Sequence, residues 1–166
     1  MAERTDQLSD RERLAAAFDE LRSRGYAAPI EFAWEMCCSS CGCAELDRRG
    51  CDDRYVFWNV QMDDASFYGD HAVPLPEPMR DALRSDGVPE DDDEAIDAWM
   101  EAHAEQVNAL FMVDRLAHGT LLNPLFLQWG GDKHLICSVL ANHGLKAVKP
   151  ATRHKTIEVR SVGQGL

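Results

Sequence analysis

Leu125-Phe126-Leu127-Gln128-Trp129-Gly130-Gly131-Asp132 is the stretch that decides the fold class. Its apolar and aromatic start reads as a buried strand. The two glycines break that strand, and Asp132 is a suitable N-cap for a helix whose core face is Leu135, Ile136, Val139 and Leu140. Gly144 closes the helix. Residues 145–149 and 156–160 then read as two further strands turning at Pro150. Strand, helix and hairpin in this order predict an α+β protein with a small, mainly antiparallel sheet backed by helices.

Further upstream the pattern is mostly helical. Ser9 and Glu12 have capping-box spacing, and Leu14, Ala17, Phe18 and Leu21 form one apolar stripe that ends at Gly25. Residues 55–61, Tyr-Val-Phe-Trp-Asn-Val-Gln, read as a strand. Residues 71–78, with three alternating prolines, read as an extended connector before a short helix at 79–84. A long helix is expected after the acidic run 90–94, with Ile96, Trp99, Met100, Val107, Leu110, Phe111 and Leu116 on one face and Gly119 at its end. No repeat or flexible linker interrupts the 166 residues, so a single domain over 1–166 is expected.

The chain carries 17 basic and 29 acidic side chains, a net charge of −12. That balance argues against direct nucleic-acid binding, whose affinity comes from clustered Lys and Arg. No apolar run is long enough to span a bilayer, and the polar start offers no signal peptide, so a cytoplasmic protein without membrane contact is expected. Residues 86–105 hold nine acids and neither Lys nor Arg. The simplest reading is a solvated helix start matched to the macrodipole. A decoy that mimics nucleic acid for a basic partner is the alternative.

Five of six cysteines fall at positions 37, 38, 41, 43 and 51. Cys38-x-x-Cys41-Gly42 has the form of a zinc knuckle, in which two thiolates grip one ion and the glycine shapes the turn. Cys43 can complete three ligands, with Cys37 or Cys51 as the fourth. Structural disulfides fit poorly with a reducing compartment. A redox pair at Cys38 and Cys41 normally opens a helix, whereas this motif reads as an N-terminal loop. With so many sulfurs nearby, a closed structural zinc site is expected over a catalytic one. Cys137 reads as a small core or surface thiol rather than a ligand.

Other candidates are weaker. His71, His103, His118, His134, His143 and His154 are scattered and show no catalytic spacing. Asp63 and Asp64 read as solvated acids at a strand end, and Gly130-Gly131 as a turn rather than a phosphate cradle, since Asp132 would repel an anion.

On these motifs the chain resembles an uncharacterised family of actinobacterial proteins, a domain of unknown function. Its members show a helix, Arg-Gly, Cys-Cys-x-x-Cys-Gly and a Tyr-Val-Phe strand. The matching residues are 11–25, Phe32, Cys37, Cys38, Cys41, Gly42, Ala44, Glu45, Tyr55, Val56, Phe57 and Gln61, with 125–130, Gly144-Leu145 and 157–159 near the end. The resemblance covers much of the chain outside residues 65–120. Family members often carry His where this chain has Cys43, an exchange that keeps zinc-binding capacity and nominates Cys43 as a ligand. Asn59 and Met62 depart from the family's strand, and the family implies an architecture rather than an activity. The sequence therefore points to a non-catalytic, zinc-stabilised module that interacts with protein, with a thiol-redox protein using Cys38 and Cys41 as the alternative.

Overall fold

The computed structural model describes residues 8–69 and 75–161. In chain order these form α1 (Asp10–Ser23), α2 (Phe32–Glu35), α3 (Ser39–Arg48), β1 (Tyr55–Phe57), α4 (Val60–Asp63), α5 (Glu77–Ser85), α6 (Asp93–Ala102), α7 (Ala104–Ala117), β2 (Leu125–Gly130), α8 (Lys133–Asn142), β3 (Lys146–Val148) and β4 (Ile157–Arg160). Helix α4 continues as a π-helical turn over Asp64–Tyr68. The chain divides into two compact units, Met1–His71 with Gly119–Leu166, and Ala72–His118. Both crossings fall where the sequence shows only punctuation, the Pro-rich connector and Gly119. Residues 70–74 of that connector, His71 among them, lie outside the described residues.

The first unit contains the expected antiparallel sheet, with strand order β1-β2-β4-β3. Val56 pairs with Trp129, Leu127 with Ile157, and Ala147 with Val159. Leu125 and Leu127 are fully buried while Phe126 between them is 38% exposed, so β2 has one core face rather than two. Helix α1 packs against α8 behind the sheet. Its predicted stripe of Leu14, Ala17, Phe18 and Leu21 is completely buried. Each large apolar side chain removed from water in this way contributes about 1.5–3 kcal/mol. Ser9 Oγ accepts the Glu12 N–H at 3.1 Å, and Gly25, at φ +90°, ends the helix in a conformation that costs a side-chain-bearing residue more.

Two expectations fail just after β1. The strand read over 55–61 stops at Phe57, because Asn59 Oδ1 accepts the Met62 N–H at 2.9 Å and starts a helix instead. The turn that follows carries Asp63 and Asp64 inward, so these acids are buried rather than solvated. Arg11 donates to both oxygens of Asp63, at 2.7 and 3.1 Å, and the Trp58 indole N–H adds a third bond at 2.9 Å. The Arg11 guanidinium also lies 3.8 Å from the centre of the Phe67 ring. A fully buried carboxylate is tolerable only with such saturation.

In the second unit, α5 starts two residues earlier than predicted, with Pro78 in its first turn, where a missing N–H costs little. The acids at 91–94 are exposed, and Asp92 caps α6 by accepting the Ala95 N–H at 3.1 Å. The long helix expected here is two helices. His103 interrupts it with φ −119° and ψ 37°; its ring stacks on Trp99 at 4.4 Å and Nδ1 lies 2.8 Å from the Trp99 carbonyl oxygen. Met79, Leu83, Trp99 and Val107 form this unit's core, while Leu116, read onto the same stripe, is exposed. Among the described residues no helix is long and apolar enough to cross a membrane.

Candidate metal centre

The cysteine motif does not lie in a loop. Cys38 is the extended N-cap of α3, at φ −151° and ψ 172°, and Cys41 is the third residue of that helix. Ser-Ser-Cys-Gly is a weak helix former on its own. Tertiary packing overrides that preference, because Gly42 and Leu46 face inward from α3 and Leu46 joins Phe32 and Phe57 in a small apolar cluster. A Cβ on Gly42 would stand 2.4 Å from Cε2 of Phe57. The glycine therefore serves close helix–strand packing. The start of α3 is further pinned by Asn59 Nδ2, which donates to Ser39 Oγ at 3.1 Å, and by the Val60 N–H, which donates to the Met36 carbonyl at 2.8 Å.

This arrangement gathers three sulfurs. Cys37 Sγ lies 3.9 Å from Cys38 Sγ and 3.2 Å from Cys41 Sγ, and Cys38 Sγ lies 3.5 Å from Cys41 Sγ. All three thiols are free; Cys37 and Cys41 are exposed, and Cys38 is partly so. Among the described residues this is the one group of three or more Cys, His, Asp or Glu ligand atoms close enough to hold a metal ion. Zinc–sulfur bonds of about 2.3 Å in a tetrahedron put neighbouring sulfurs about 3.8 Å apart. The Cys37–Cys38 spacing of 3.9 Å already meets that value, while those of 3.5 and 3.2 Å would have to lengthen by about 0.3 and 0.6 Å.

The three thiols are not equivalent. Cys38 is held below the ordinary thiol value, first by the Cys41 backbone N–H and then by the Cys41 and Cys37 side chains. Its place at a helix N-terminus favours the thiolate as well. Cys41 is pushed up to about 12, because its proton is shared toward Cys37 and Cys38 and a second negative sulfur there would be repelled. A cation that takes the place of protons among these sulfurs would relieve the repulsion.

Cys43 and Cys51, nominated as ligands, are placed elsewhere. They line a separate cavity of about 370 Å³ together with Asp47, Asp52 and Tyr55, and burial followed by Asp47 raises the Cys43 thiol. Helical spacing explains the separation. Cys41 rises one turn above Cys37 and Cys38, whereas Cys43 is two residues further on and points to another side. That signal was present in the sequence, but it becomes usable only once the motif is known to open a helix. Of the two places the sequence allows Cys137, core or surface, the structure has it in the core of the first unit. Asp132 caps α8, accepting the His134 and Leu135 N–H groups at 2.9 and 3.4 Å; Gly130 is the last residue of β2, paired with Tyr55, and Gly131 alone, at φ +99°, makes the turn into the capped helix. Compared with protein-family models, curated proteins and solved structures, the chain has no match.

Proposed function

We propose that the protein is a non-catalytic zinc-binding interaction module whose ion is held by Cys37, Cys38 and Cys41. The observation that carries this reading is the convergence of three free sulfurs within 3.9 Å at the start of α3. An all-sulfur donor set is soft and suits zinc among the abundant divalent ions. Three thiolates also leave the ion little residual positive charge with which to acidify a water, which favours binding over hydrolysis. The apolar core of the first unit contains none of these sulfurs, so the ion would staple the Met36–Cys38 segment to α3 and present it, rather than support the whole fold.

Titration with zinc against a colorimetric chelator tests this. Reduced protein should take up one zinc per chain, and Cys38→Ser or Cys41→Ser should lose that uptake. Full uptake by both variants would exclude the site.

A thiol-redox role has one specific observation in its favour. Cys38 and Cys41 open a helix after all, with Sγ atoms 3.5 Å apart, which removes the sequence-based objection to an exchanging pair. A stable Cys38–Cys41 disulfide in glutathione buffers, with zinc uptake absent, would move the assignment to that reading.

A further inference from the structure

We infer that the ion at Cys37, Cys38 and Cys41 keeps one coordination position open to solvent and fills it with a thiolate from outside the chain. This rests on the zinc-binding reading and goes beyond it, because a closed four-ligand site was the expectation. Among the described residues the ligand group ends at three sulfurs, and no His, Asp, Glu or fourth Cys joins it. The two sulfurs that would have been added, on Cys43 and Cys51, line another cavity. Ser39, beside the motif, is already engaged with Asn59. Cys37 and Cys41 are exposed, so a ligand from solvent can reach an ion held by these sulfurs without unfolding anything.

The chemistry of the vacancy selects its occupant. Zinc in tetrahedral protein sites takes four ligands, and soft sulfur is the donor that matches the other three. Water can hold the position until a thiol displaces it. In that exchange one zinc–oxygen bond breaks and one zinc–sulfur bond forms, the thiol proton passes to solvent, and no electron moves. A thiolate of this kind has two sources, a low-molecular-weight thiol or a cysteine of a second copy. Either makes the site an exchange point, at which the ion is shared with an external sulfur and can be handed over or received.

Cobalt(II) reports the donor set through its visible spectrum, and it can replace zinc in the full chain reduced with a phosphine in place of a thiol. The expected result is a tetrahedral spectrum of three sulfurs and one light atom, which moves saturably toward the four-sulfur form when cysteamine is added. Mass measured by light scattering separates the two sources. A monomer that responds to cysteamine assigns the thiolate to the small molecule; a four-sulfur spectrum that appears together with metal-driven dimerisation assigns it to a second copy. A monomer whose tetrahedral spectrum ignores cysteamine overturns the open position while leaving zinc binding intact. Absence of any cobalt band that depends on Cys41 overturns both readings.

Discussion

The first unit contains two tight clusters of groups able to bind ions, and their surroundings are opposite. Around Asp63, a carboxylate with no solvent exposure, the described residues supply two bonds from Arg11 and one from Trp58. Around Cys38 the chain supplies three soft donors and leaves two of them exposed. A saturated buried cluster has its chemistry used up in holding the fold. An incomplete cluster at the surface contributes little to folding and has its chemistry left over for something else. The difference in saturation, more than the difference in residue type, separates these two clusters.

Breaking the saturated cluster should have the largest effect. Asp63→Ala leaves the Arg11 charge buried without its main partner, and a loss of about 3–5 kcal/mol in chemical denaturation is expected. A loss below about 1 kcal/mol would mean that the pair is solvated in solution. Next comes Gly42→Ala, which pushes a methyl group into the Phe57 ring. Overpacking of this kind costs about 1–3 kcal/mol. It should also weaken zinc uptake by shifting the start of α3, while a serine at Cys38 should weaken uptake without the stability loss.

The thiol cluster should behave in the reverse way. Cys37→Ser and Cys41→Ser are expected to change the stability of the zinc-free protein by no more than about 0.5 kcal/mol, as surface substitutions usually do. Zinc affinity is expected to rise with pH across the neutral range. The sign follows from Cys41: its thiol is pushed up to about 12, so it is protonated in the free protein and must release that proton to bind. Competition titrations at two pH values read this directly, and an affinity that is flat or falls with pH would contradict it. Smallest of all, Cys43→Ser and Cys51→Ser should leave zinc stoichiometry unchanged, because both side chains line a different cavity.

Much of the framework was legible in the sequence because it is local. The Ser9 cap, the α1 stripe and the strand–turn–helix at 125–142 each depend on residues a few positions apart, and each is found as read. What escaped depends on distant partners. Nothing near Asp63 announces Arg11, 52 positions away, so two adjacent acids read as solvated. The helical start at Cys38 was hidden by poor intrinsic propensity and revealed only through Gly42 meeting Phe57 from β1. With α3 misread as a loop, no periodicity could separate Cys43 from Cys41, and the ligand set was drawn too wide. The break at His103 escaped for a similar reason, since an imidazole stacking on Trp99 outweighs an otherwise unbroken helical pattern.

The central claim, that Cys37, Cys38 and Cys41 bind a metal together, is tested most directly by elemental analysis of protein purified without added zinc, beside a variant with serine at all three positions. The account predicts about one zinc per chain in the first and none in the second, with both proteins folded. No zinc in the first, or equal zinc in the two, would contradict it.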